Sequence, residues 1–207
     1  MKERPILFST PMVQAILDGR KTMTRRTKGL EEINKDPNSW QFLSCIMGSY
    51  KDKDPVIYRF IHNTTGRKLD IKCPYGHVRD TLWVRETFRK AHGMPTGPRY
   101  EYKATALKDG VPIDEPWKPS IHMPREACRI MLEITNMRVE RLQDISEQDA
   151  MAEGVELYNN YDGTYGGADA PMNHKESFYW LWQSINGPES WEANPWVWVI
   201  EFKRIDR

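Results

Sequence analysis

Residues 8–26, FSTPMVQAILDGRKTMTRR, constrain this chain more than any other stretch. Thr10 is a suitable N-cap and Pro11 suits the first helical position, where no backbone N–H is needed. Met12, Val13, Ile16 and Leu17 recur at one-turn spacing and make one apolar face. Gly19 takes the residue after the helix end, where a positive φ costs it nothing. Lys21, Thr22, Met23, Thr24, Arg25 and Arg26 follow at once as a strand. Three charges and two hydroxyls in those six residues, beside a tight turn, exceed what a plain strand needs.

The 207 residues fit a single domain spanning 1–207, with insertions near 28–55, 89–120 and 156–174. A hydrophobic content of 39% is enough for a core, and a mean hydropathy of −0.71 leaves the surface polar. The net charge of +1 argues against a protein held on nucleic acid by bulk charge, but it permits a local basic cleft. Cys45, Cys73 and Cys128 are an odd, widely spaced set and suggest no disulfide framework. No apolar run approaches the roughly 20 residues of a membrane span. The opening MKERPILFST lacks the apolar core of a signal peptide. Together these features predict a cytoplasmic setting with no membrane association.

Further along, residues 28–55 read as a polar surface insertion with one helical turn. Residues 56–61 (VIYRFI) and 67–72 (RKLDIK) read as strands joined by a turn at Asn63-Thr64-Thr65-Gly66. In residues 82–88 (LWVRETF), Leu82, Val84 and Glu86 share one face, and Trp83, Arg85 and Thr87 the other. Residues 92–119 are a proline-rich loop with a short strand at 100–104. A long strand over 129–142, a helix over 144–154 with Ser146 as N-cap, and a glycine- and tyrosine-rich loop over 158–173 follow. An amphipathic helix over 175–186, carrying Phe178, Leu181, Trp182 and Ile185, and a final strand over 196–202 (WVWVIEF) complete the chain. Helices and strands mix without βαβ alternation, which predicts an α+β fold, and closure into a barrel would hide the exposed edges.

The run Gly19-Arg20-Lys21-Thr22-Met23-Thr24-x-Arg26 resembles the GRKT-x-T-x-R signature of the ASCH domain family (activating signal cointegrator homology), whose fold is a PUA-like β-barrel. The resemblance extends over residues 4–26 and two later stretches. One is Cys73-Pro74-Tyr75-Gly76 with Asp80-x-Leu82-Trp83-Val84-Arg85-Glu86, similar to the family's CPYG-x-x-GD-x-LWVRE. Here Arg79 stands where a glycine is usual, so a differently built turn is expected. The other is the short helix Ser146-Glu147-x-x-Ala150-x-x-Glu153-Gly154. Some small bacterial members are amidohydrolases that remove the acetyl group of N4-acetylcytidine, and others bind or cleave RNA. The longer form, with its SIHMPR and NPWVW stretches, is similar to proteins of bacteria and their phages. The resemblance implies a barrel with peripheral helices and long loop insertions. It also implies a catalytic set in which Lys21 is the general base, Thr24 the nucleophile and Glu153 the assisting acid.

The chemistry of these residue types is compatible with those roles. A threonine hydroxyl needs a base to become a nucleophile, and a desolvated amine can serve. Residues three apart on an ideal strand point oppositely, so Lys21 and Thr24 converge only if Lys21 lies in the turn or a bulge intervenes. Glu153 would end its helix where the macrodipole disfavours a carboxylate, by roughly 0.3–1 kcal/mol, which suits a proton shuttle. The plainer reading is a solvated strand end and an exposed helix-end glutamate. Arg20, Arg26, Trp83, Glu86, Ser120, His122 and Arg125 are candidate substrate-binding residues. The run Ser120-x-His122-x-x-Arg125 offers groups for a phosphate or a base edge, and Trp83 with Glu86 offers stacking and a carboxylate. Alternatively, Ile121 and Met123 fill the core while Trp83 packs inside and Glu86 forms a salt bridge. Trp180, Trp182, Trp191, Trp196 and Trp198 read as core. Cys73-x-x-x-His77, with Cys45 and His62, matches no common zinc spacing, and neither a P-loop nor GxGxxG is present, so no metal or cofactor is expected. The functional expectation is recognition of RNA or a modified nucleoside, with hydrolysis of N4-acetylcytidine. A ribonuclease acting on single-stranded RNA and a non-catalytic nucleic-acid or protein binding module stand as alternatives.

Overall fold

The computed structural model describes residues 1–46, 56–91, 100–106, 108–111, 116–157 and 173–205. In chain order the elements are β1 (Glu3–Leu7), α1 (Thr10–Leu17), β2 (Met23–Arg26), β3 (Trp40–Ile46), β4 (Ile57–His62), β5 (Lys68–Lys72) and β6 (Thr81–Arg85). They continue with β7 (Phe88–Lys90), β8 (Tyr100–Tyr102), β9 (Met131–Arg141), α2 (Glu147–Ala152), α3 (His174–Asn186) and β10 (Trp196–Ile205). A five-stranded sheet runs β1-β6-β9-β10-β2, a three-stranded sheet runs β3-β4-β5, and β7 pairs with β8. Within the large sheet only the β1–β6 pair is parallel. The mixed α+β class agrees with the sequence.

The barrel does not close among the described residues: β1 and β2 are the two edges of the large sheet, and no ladder joins them. The edges nevertheless meet through side chains. Arg26 Nη2 donates to the Leu7 carbonyl at 2.8 Å, and the Arg26 guanidinium lies 5.1 Å from the centre of the Phe8 ring. A cation and a ring occupy the seam that a ladder would otherwise fill.

The last strand explains much of the core. Trp196, Trp198, Ile200 and Phe202 of β10 enter one cluster with Ile6, Val84, Ile134, Tyr58 and Phe60. Val197 and Val199 point the opposite way, into a second cluster with Phe178, Trp182, Trp191 and Met23 under the two later helices. Buried on both faces, this strand reads as a continuous apolar run rather than an alternating one.

Several expectations need correction. Ser9, not Thr10, holds the N-cap position of α1, and its side chain makes no capping bond. Residues 28–55 include β3, which pairs with β4, so the stretch is more than a surface insertion. Residues 82–88 are two strands, broken after Arg85. Arg79, where the resemblance led to a differently built turn being expected, takes φ +75°, a left-handed value that strains a residue with a Cβ. Trp180 and Ile185 are 52% and 67% exposed, so the apolar face of α3 is narrower than predicted and four of the five C-terminal tryptophans are core. The loop predicted over 158–173 lies outside the described residues except at Asn173, which caps α3 through its side chain. No helix among the described residues is long and apolar enough to cross a membrane.

Candidate functional site

Helix α1 ends at a glycine, and that ending fixes Lys21. Gly19 has φ +75°, and the N–H groups of Arg20 and Lys21 both donate to the Ala15 carbonyl, at 2.9 and 3.0 Å. Lys21 therefore still belongs to the capping turn, the first of the two conditions under which it can share a side with Thr24. A single antiparallel bridge then ties Lys21 to Glu153, with Thr22 N–H donating to the Ala152 carbonyl at 2.8 Å. Glu153 is the C-cap of α2, whose N-cap Ser146 accepts from the Asp149 N–H. Gly154 lets the two segments approach: a Cβ there would sit 2.7 Å from Lys21 Cβ and 2.9 Å from Ala15 Cβ, at φ +74°.

These backbone contacts bring together side chains distant in sequence. Lys21 Nζ donates to the Glu153 carbonyl and to Glu153 Oε2, each at 2.7 Å, across 132 residues, and both residues are buried. Burial pulls the Lys21 ammonium below its ordinary 10.5, and the Glu153 carboxylate opposes that pull. On the far side of the carboxylate stands Arg25, a residue the sequence did not single out. Its side chain is fully shielded. Its Nη1 reaches Glu153 Oε1 at 3.4 Å, and its Nη2 reaches Glu140 at 2.5 Å and Asp149 at 2.8 Å. Two cations thus offset the negative helix end at Glu153.

Thr24 pairs with Ile200 and Arg26 with Trp198, so both face the main core, while Met23 and Arg25 face the second cluster. Thr24 is buried, and its hydroxyl has no hydrogen-bond partner among the described residues. Lys21 Nζ lies 5.6 Å from the centre of the Phe8 ring, the ring that Arg26 also covers. Lys21 and Arg26 therefore share the Phe8 side of β2, the side to which Thr24 is also turned. Tyr75, from the Cys73-Pro74-Tyr75-Gly76 turn, lies within electrostatic reach of Arg26. Burial raises the Tyr75 phenol, so it stays protonated at neutral pH. The turn was visible in the sequence, but Tyr75's approach to β2 was not.

Of the predicted binding residues, Arg20 sits at the rim. It is exposed, paired with Asp18 and Glu156, with Nη1 reaching the Gly154 carbonyl at 3.4 Å. Apart from Arg26, the others form a separate group, and among the described residues no hydrogen bond or ion pair joins any of them to Lys21, Thr24 or Glu153. Both oxygens of Glu86 are held by Arg129 at 2.9 Å, so this carboxylate is not free to meet a base edge. Trp83 is flanked by the guanidinium groups of Arg85 and Arg125, and Arg125 also binds Glu3 at 2.7 and 2.9 Å. Ser120 and His122 lie in a one-turn 3-10 helix, Ser120–His122, with His122 exposed. Met123 is core, whereas Ile121 is exposed. Among the described residues no His, Cys, Asp and Glu side chains gather to hold a metal ion. No family model matches the chain, and no curated protein or solved structure matches it.

Proposed function

We propose that this is a PUA-like protein of the ASCH type that recognises RNA or a modified nucleoside and hydrolyses the N4-acetyl amide of acetylcytidine. One observation carries the reading. An amine and a carboxylate 132 residues apart are brought to 2.7 Å in a buried position, next to the strand that carries the buried Thr24. The lowered lysine supports its use as a base, because a desolvated amine holds its proton less tightly.

In this mechanism the free Lys21 amine takes the Thr24 proton, and Oγ1 bonds to the acetyl carbon. The tetrahedral intermediate collapses with cleavage of the bond to N4. The proton passes from Lys21 along the 2.7 Å contact to Glu153, which delivers it to the departing amine. Water then hydrolyses the acetyl-threonine ester, releasing acetate and restoring the hydroxyl. Arg25 keeps Glu153 oriented throughout.

The test is to incubate the purified chain with N4-acetylcytidine and, separately, with single-stranded RNA. Release of cytidine and acetate that disappears in Lys21→Ala and Thr24→Ala supports the amidohydrolase. RNA cleavage lost in the same variants supports a ribonuclease in which Lys21 acts on the 2′-hydroxyl, and binding without turnover supports a recognition module. No interaction with either substrate overturns the proposal.

A further inference from the structure

Solvent does not reach the three groups given a chemical role: Lys21, Thr24 and Glu153 are 3%, 3% and 4% exposed. A substrate needs an opening, and the sides of the site differ in what closes them. Towards α2 the closure is backbone, through the Lys21–Glu153 bridge and the Thr22 N–H on the Ala152 carbonyl. Towards α3 it is apolar packing of Met23 with Phe178, Trp182 and Trp191, beside an Arg25 paired with Glu140, Asp149 and Glu153. Towards β10 a ladder runs the length of β2. The remaining side faces β1, and there no ladder is formed among the described residues. Two side chains fill the gap. Arg26 Nη2 donates to the Leu7 carbonyl at 2.8 Å, and the Phe8 ring lies 5.1 Å from the Arg26 guanidinium and 5.6 Å from Lys21 Nζ.

This closure is the one most easily undone. The Arg26–Leu7 hydrogen bond is solvent-exposed and Leu7 is 39% exposed, so water can take the place of either partner with little loss. Phe8 directly precedes α1, whose N-cap Ser9 makes no side-chain capping bond, so the first helical turn beside the ring is weakly held. Turning two side chains and fraying a helix end cost far less than breaking a ladder.

We propose that Arg26 and Phe8 form a gate over Lys21 and Thr24. The seam between β1 and β2 is the entrance, closed in this structure and opened when Arg26 leaves the Leu7 carbonyl and the Phe8 ring swings aside. That the entrance serves a substrate rests on the functional reading above, whereas the local opening stands on the seam alone.

The experiment uses the full chain and competitive trace labelling with acetic anhydride at mildly alkaline pH, with acetylation of each lysine read by peptide mass spectrometry. Lys35, whose side chain is 74% exposed, is the internal reference. In the wild type Lys21 is labelled more slowly than Lys35, by about tenfold or more, and its rate does not rise with urea below the unfolding transition, as a local opening requires. Losing a hydrogen bond from a charged donor shifts such an opening by about tenfold or more, so Arg26→Met speeds labelling of Lys21 relative to Lys35 by that factor. Loss of the Arg26 charge by itself strengthens proton binding at Lys21 and slows acylation, so a faster rate reports access. Phe8→Leu also speeds it, several-fold. Labelling of Lys21 unchanged in Arg26→Met, or a wild-type rate that rises with urea in step with global unfolding, overturns the gate. If Arg26→Met does not fold, the urea dependence of the wild type and Phe8→Leu decide. Failure of the functional reading is distinct: Lys21 labelling then responds to the substitutions while no acetate is released from N4-acetylcytidine. Turnover with Lys21 labelling indifferent to both substitutions leaves the functional reading standing and removes the gate.

Discussion

Glu153 and Glu86 are both buried glutamates held by cations, and the resemblance or the residue pattern marked each for a role in the site. Their surroundings differ. Glu86 gives both oxygens to one guanidinium, Arg129, which itself lies 4.0 Å from the centre of the Tyr102 ring. Nothing in that unit is left over. Glu153 divides its oxygens between an amine and a guanidinium from opposite sides of β2, and the Nε of that guanidinium, Arg25, is sealed with no partner among the described residues. Burial and ion pairing alone therefore do not mark a site. An unpartnered polar atom beside a buried pair is a reason to test that pair, because a folded chain satisfies most of its polar atoms.

The largest expected effect separates the two on activity. Lys21→Ala lowers turnover of the acylated nucleoside by about 10²–10⁴-fold, the range of a lost general base. In Glu86→Ala the folded fraction retains its kcat. Steady-state kinetics on both variants, corrected for folded protein, checks this. On stability the order reverses in emphasis. Glu86→Ala strands Arg129 and costs about 3–5 kcal/mol, measured by urea unfolding, and a loss near zero would mean that the pair contributes nothing. Gly154→Ala forces a Cβ against Lys21 and Ala15 at a positive φ. It should cost about 1–3 kcal/mol and lower turnover together with stability, whereas turnover intact at reduced stability would uncouple that approach from the site.

The pH dependence of stability sharpens the contrast because the two groups tilt it in opposite directions. Lys21 is lowered from 10.5 by burial, so between its folded value and 10.5 the unfolded chain binds more protons and stability rises with pH. Glu86 is raised from 4.5 by burial, against the pull of Arg129, so just above 4.5 the folded chain binds more protons and stability falls as pH rises. Unfolding curves for Lys21→Met and Glu86→Gln should each lose one slope and keep the other. The smallest effect is a control remote from both: Arg79→Gly relieves a left-handed backbone and stabilises by up to about 1 kcal/mol in the same unfolding assay.

What could be read in the sequence was local. The stop at Gly19, the Ser146 cap and the alternation of Leu82, Val84 and Glu86 follow from φ preferences, side-chain acceptors and a period of two, and all three are present. The second face of β10 was hidden because a strand buried on both sides carries no alternation. β3 was missed because its outward residues, Gln41, Leu43 and Cys45, carry no clear apolar–polar alternation and follow directly on a polar loop. Within the site, Lys21, Thr24 and Glu153 were named from the family resemblance, and the turn that lets Lys21 share a side with Thr24 was foreseen as a condition. Arg25 and Tyr75 could not be found, because their relevance depends on which segments meet across the fold.

Strand β2, which carries Thr24 and Arg26, has one ladder partner among the described residues, β10, and Trp198 Nε1 reaches the Lys28 carbonyl across 170 residues. During synthesis β2 therefore has no ladder partner among the described strands until nearly the whole of this chain has left the ribosome. The candidate centre cannot assemble on a partly made chain, so a truncation that removes only the final strand should yield a protein inert toward its substrate even where its remaining sheets are intact.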